Sequence, residues 1–144
     1  MGVFDLSAEE REEIENAPEP QVFESDEEVT LRLVGFREAP ETGEKVFTNK
    51  SGGLYVHPEL EIIGVPDAEQ YKTFLHYVPI PKGLTDPKKK LQAERSLQRF
   101  CKAFKVEIDP ESLDDWIGSE AEAILRVERS DQYGDQNGVK RFVD

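Results

Sequence analysis

Between Tyr55 and Val143 the chain reads as two long strand-like runs, then a basic amphipathic helix, then a hairpin. That order constrains the fold more than any single residue does. A further strand precedes it. Residues 29–36 alternate, with Val29, Leu31 and Leu33 on one face and Thr30 and Arg32 on the other, the period of a half-buried strand. Residues 54–63 put Leu54, Val56, Leu60 and Ile62 on one side and Tyr55 and His57 on the other. Pro58 inside this run implies an edge position or a bulge where the strand bends. Residues 70–78 alternate Tyr71, Thr73, Leu75 and Tyr77 against Lys72, Phe74 and His76. Pro79 and Pro81 end that run.

Thr85 or Asp86 then caps a helix with Pro87 in its first turn, running to about Lys105. Leu97, Phe100, Cys101 and Phe104 form its narrow apolar stripe, at i, i+3, i+4 and i+7. Cys101 on that stripe reads as a small buried hydrophobe, and Trp116, in the following connector, as a packing anchor. Residues 121–129 alternate again. Asn137-Gly138, a strong hairpin signal, precedes a short strand over 139–143. The sum is β-β-β-α-β-β, the connectivity of the OB-fold, a small barrel that binds oligonucleotides or oligosaccharides on its strand 2–3 face. The expected architecture is mainly β with α: a five-stranded OB-fold barrel over residues 29–144, with a helix between its third and fourth strands.

Residues 1–28 are expected to form an acidic leader. Ser7-Ala8-Glu9-Glu10 has the pattern of a capping box, opening a short helix over residues 8–16. Pro18 and Pro20 end it, and an acidic linker follows to Glu28. A solvated tail and a functional arm both fit this composition. The net charge of -13 argues against nucleic acid until its distribution is considered. Residues 1–29 carry 11 acidic and 1 basic residues, whereas the rest carries 20 and 17. Within the rest, residues 86–105 hold 7 basic and 2 acidic side chains. Screening acts over about 8 Å at physiological salt, so local fields govern a groove more than the total does.

Several classes are unsupported by the residues. A single cysteine makes no internal disulfide and no Cys-rich zinc site, and suits a reducing compartment. The two histidines lack metal-ligand spacing. Lys50-Ser51 lacks the upstream glycine of a phosphate loop, and residues 131–138 lack the glutamate of a calcium loop. No enzyme, cofactor or metal is expected. Residues 1–6 have no signal-peptide pattern, and no apolar run nears the roughly 20 residues that span a bilayer. The expectation is a cytoplasmic protein with no membrane partner.

A single-strand binder needs only aromatic platforms for bases and cations for phosphates on one open face. Tyr55 and His57 share a face of the second strand. If Leu75 points into the core, Lys72, Phe74 and His76 lie outside; with the opposite parity, Phe74 is core. Lys45, Phe47 and Lys50 lie in the loop before the second strand. Tyr133, Lys140 and Arg141 lie at the end joining the last two strands, and in an OB-fold these two regions flank one groove. The basic helix reads equally well as a solvated face covering the barrel's end.

From Leu91 onward the chain resembles the single-stranded-DNA-binding OB-fold proteins of tailed bacteriophages. The resemblance is carried by the helix with Leu97, Phe100, Cys101, Lys102, Ala103 and Phe104, then Trp116-Ile117-Gly118. The strand from Ala123 to Glu128 follows, and Tyr133-Gly134-Asp135-Gln136-Asn137 runs into Val139-Lys140-Arg141-Phe142. It covers the last third of the chain well and the middle third by element order. It implies a protein that coats single-stranded DNA in phage replication and recombination, in the host cytoplasm, and that contacts other replication or recombination proteins. Many of that family carry an acidic C-terminal tail. Here the acidic segment is N-terminal. The alternatives are an acidic interaction module or DNA mimic that occupies a nucleic-acid-processing protein, and a small structural virion β-barrel.

Overall fold

The computed structural model describes residues 2–132 and 134–143. It is mixed α/β and mostly sheet. The elements are α1 (Ala8–Glu15), β1 (Val29–Phe36), β2 (Val46–Thr48), β3 (Leu54–Val56), β4 (Pro58–Ile63), β5 (Phe74–Leu75), β6 (Val78–Ile80), α2 (Pro87–Phe104), β7 (Glu120–Glu128) and β8 (Gln136–Val143). The strands form two antiparallel sheets, of order β5-β4-β1-β7-β8 and β2-β3-β6. Among the described residues neither sheet closes on itself.

β1 follows its alternation. Val29, Leu31 and Leu33 are buried, and Leu31 pairs with Ile62 on one side and Ala121 on the other. The second expected strand is divided. Leu54–Val56 belongs to the small sheet and Pro58–Ile63 to the large one. Pro58 opens β4, where its missing N–H weakens the ladder least. His57 marks the crossing, and its carbonyl accepts from the Arg37 N–H at 2.9 Å.

The third expected strand is divided too, and its faces are the reverse of the expectation that Leu75 points inward. A short 3-10 turn, Ala68–Gln70, and three irregular residues precede β5, so no strand period runs through 70–78. Phe74 pairs with the fully buried Leu60 and is itself buried, while Leu75 is exposed.

Asp86 caps α2 by accepting from the Lys88 N–H at 3.0 Å, Pro87 stands in its first turn, and Lys105 ends it in a left-handed conformation. Ala93, Leu97, Phe100, Cys101 and Phe104 are its buried stripe. The helix lies against β6, β7 and β8. Burial pushes the Cys101 thiol up to about 11, which suits an inert core thiol. Trp116 is buried against Phe36 and Phe100, and its indole N–H donates to the Glu107 carbonyl at 2.9 Å.

Two expectations about local structure meet different outcomes. The Ser7–Glu10 capping box forms, and α1 buries none of its residues. Asn137-Gly138 is not a turn: both residues lie within β8, opposite Val127 and Arg126. Asn137 is buried, and its side-chain amide grips the leader. Its Oδ1 accepts from the Phe23 N–H at 2.8 Å, while Nδ2 donates to the Phe23 carbonyl at 2.8 Å and the Arg126 carbonyl at 3.2 Å. Phe23 is buried edge-on to Tyr71, with ring centroids 5.3 Å apart, and Gln21 bridges to Tyr71. The expected linker is therefore anchored to the body at residues 21–23. No helix among the described residues is long and apolar enough to cross a membrane.

Candidate nucleic-acid interface

The small sheet gathers four aromatic rings. Strand alternation turns Val56 into the core and leaves Tyr55 and His57 together on the other face. The β2–β3 register sets Phe47 opposite Tyr55, with centroids 5.6 Å apart and planes 23° from parallel. Tyr77, the residue before β6, alternates with buried Val78 and is 48% exposed. It lies 5.1 Å from Tyr55 and 5.8 Å from His57. Tyr55 and His57 are 5.2 Å apart. The guanidinium of Arg37 stands 5.1 Å from the centre of the Phe47 ring, a cation–π contact at the edge of the cluster. The backbone N–H of Arg37 donates to the His57 carbonyl, which ties the Arg37 main chain to the end of β3, from which its side chain reaches Phe47.

Burial holds the His57 pKa below its ordinary value, and the Arg37 charge adds to the effect. Its Nδ1 is buried without a hydrogen-bond partner, which suits an unprotonated nitrogen. At neutral pH the platform is therefore an uncharged aromatic surface with one cation beside it. Such a surface stacks planar rings and is indifferent to which base they belong to.

The structure unites Tyr55, His57 and Phe47 and separates most of the other candidates from them. Phe47 is part of β2 rather than a loop. Phe74 is in the core, not on a platform. His76 is half-buried rather than outside, stacked on Phe100 at 5.7 Å and edge-on to Phe142 at 5.6 Å. Burial, then the charges of Arg126 and His57, lower its pKa to about 4. Both placements follow from the inverted phase of β5. Lys72 is half-buried, and its N–H donates to the Gln21 carbonyl where the leader docks. Lys45 is engaged by Asp114 at 2.6 Å and stands over Phe36. Lys50 is exposed in the β2–β3 turn. Lys140 and Arg141 are exposed on β8, in the other sheet. Tyr133 lies outside the described residues.

Two members of the cluster were not among the sequence candidates, Tyr77 and Arg37. Tyr77 had a local signal: in Tyr77-Val78-Pro79 the small apolar residue is the natural inward one. Arg37 had none, because its place depends on the β1–β4 crossing. The outer face of the large sheet offers a poor alternative surface. Two of its arginines are matched by carboxylates, Arg32 with Glu120 at 3.1 Å and Arg126 with Glu128 at 2.8 Å. Compared with known proteins, the chain matches no family model and no curated sequence.

Proposed function

We propose that the protein binds single-stranded DNA, largely without sequence preference, on the aromatic face of β2, β3 and β6. The observation that carries this reading is the contiguous Phe47–Tyr55–His57–Tyr77 surface with Arg37 at its rim. Stacking is worth about 1–3 kcal/mol per base. Two stacked bases thus supply roughly 2–6 kcal/mol, a dissociation constant near millimolar or weaker for the lower half of that range. Useful affinity requires phosphate contacts as well, so binding is salt-sensitive.

The finer fold reading is a partly open OB-type barrel. Its second strand comprises β3 and β4, bent at His57–Pro58, and its third comprises β5 and β6. In those terms the large sheet runs third, second, first, fourth, fifth. The His76–Phe142 contact spans the side left without strand pairing. The aromatic cluster then lies on the strand 2–3 face, with Phe47 in the connection between strands 1 and 2, where OB-folds bind oligonucleotides. The resemblance to phage single-strand-binding proteins supplies the setting, coating of DNA during phage replication and recombination in the host cytoplasm, without catalysis.

The rival reading, an acidic module or DNA mimic, draws on α1, which is fully exposed and rich in carboxylates. Fluorescence anisotropy with a labelled oligo-dT and a duplex of equal length separates the two. Single-strand binding that weakens with salt and exceeds duplex binding supports the proposal. Binding to neither DNA, at low salt, refutes it.

A further inference from the structure

The aromatic surface does not stop at Tyr77. Tyr77 also forms one wall of a cleft of about 250 Å³ between the β2–β3 turn and the first half of α2. Lys89, Gln92 and Ser96 line the opposite wall. Their spacing of three and then four residues stacks them on one face of the helix. Asn49 and Gly53 close the turn side. The Asn49 Oδ1 accepts from the Ser51 and Gly53 N–H groups at 3.0 and 2.8 Å. A Cβ on Gly53 would come within 2.9 Å of Asn49 Nδ2, so only glycine leaves the carboxamide in this position.

The charge of the cleft is distinctive. It is lined by a lysine and no carboxylate, on a chain with 31 acidic residues. The grooves on the far side of α2 include Glu94, and the one between α2 and β7 includes Glu120 and Glu122. Its volume is below the roughly 300–1,000 Å³ of small-molecule sites, so it suits a single planar ring system better than a free metabolite. The Asn49 Nδ2, the Gln92 carboxamide and the Ser51 and Ser96 hydroxyls offer donors and acceptors to a base edge, and Lys89 offers a charge to the adjoining phosphate.

From these observations we propose that the cleft is a second nucleotide subsite, in which a strand leaving the platform past Tyr77 inserts one base, its phosphate held by Lys89. This rests on the single-strand-binding reading above. The path runs across the small sheet, from Arg37 and Phe47 at the β2 edge through Tyr55 to β6 and then α2. Sequence tolerance on the platform and a more discriminating, hydrogen-bonded end at the cleft follow from the two kinds of lining.

Anisotropy titrations with oligo-dT of increasing length, comparing wild type with Lys89→Ala/Gln92→Ala, test the subsite. Both residues are exposed on α2, so the fold is retained, and matching thermal midpoints check this. The shortest oligonucleotides that bind should bind both proteins equally. Longer ones should bind the variant about tenfold more weakly, with the salt slope shallower by about 0.7. Equal affinity and slope at every length overturns the subsite; if that binding is still lost in Tyr55→Ala, the platform stands. Weakening that is the same at every length also overturns it, because Lys89 and Gln92 would then act on the platform itself. Binding of no oligonucleotide by wild type overturns both.

Discussion

Asn137→Ala should be among the more destabilising single substitutions in this protein. The side chain is 3% exposed and makes three hydrogen bonds, two to the backbone of Phe23 and one to the Arg126 carbonyl. Each is worth about 0.5–1.5 kcal/mol net, and a partner left buried without a replacement costs more. The loss should therefore be about 2–4 kcal/mol, a large share of the roughly 5–15 kcal/mol that holds a domain together. Urea unfolding followed by circular dichroism measures it. Phe23→Ala undoes the same docking from the other side, by removing the buried ring set against Tyr71. Because both changes release one segment, the double variant should lose less than the sum of the singles, by about 1–2 kcal/mol. An Asn137→Ala loss under about 0.5 kcal/mol would refute the reasoning. So would strict additivity of the two changes, which would mean that Asn137 and Phe23 act independently.

Three further outcomes follow from the placement of named residues. Phe74→Ala should cost about 3–5 kcal/mol of stability and leave affinity per folded molecule unchanged, whereas Tyr55→Ala should cost about 1–3 kcal/mol of binding with little change in thermal midpoint; the opposite pattern would invert the assignment of core and platform. His76 has a folded pKa of about 4 against an ordinary 6.5, so its stabilisation is complete above about pH 6.5 and lost as pH falls towards 4. Between pH 7 and 4.5 wild type should lose about 2–3 kcal/mol more than His76→Phe in urea titrations, and parallel losses would show that His76 does not titrate as described. Deleting residues 1–20, which spares Phe23, should tighten single-strand binding at low salt by removing an acidic arm, without loss of stability because α1 buries nothing; deleting residues 1–24 should destabilise as well, and unchanged low-salt affinity in the shorter deletion would reject screening by the arm.

What was legible in the sequence was local. The cap, proline and apolar stripe of α2 lie within one segment, and the structure agrees with them nearly residue by residue. β1 alternates cleanly from Val29 to Leu33, the part that was readable, before its register shifts between Leu33 and Gly35 and Phe36 turns inward. Pro58 correctly marked a bend, but nothing nearby says that the chain changes sheets there, since that depends on what β1 and β6 offer as partners. The phase of Phe74 was lost because a 3-10 turn and irregular residues reset the period before β5. Asn137 misled for a physical reason: its short amide, which favours turns by bonding to nearby backbone, here bonds to backbone 114 residues away. Of the site, Tyr55, His57 and Phe47 were readable from parity and composition. Tyr77 had a local signal in the inward preference of Val78, whereas Arg37 joins them only through the β1–β4 pairing.

Photocrosslinking tests the central claim most directly. Oligo-dT carrying 5-iodouracil, irradiated in complex with the full chain and mapped by mass spectrometry, reports which rings touch bases. The account predicts adducts on Tyr55 and Tyr77, with Phe47 and His57 as neighbours, lost when unlabelled single strand competes. Adducts confined to β7, β8 or the outer face of the large sheet, or none under conditions where the DNA is bound, would contradict it.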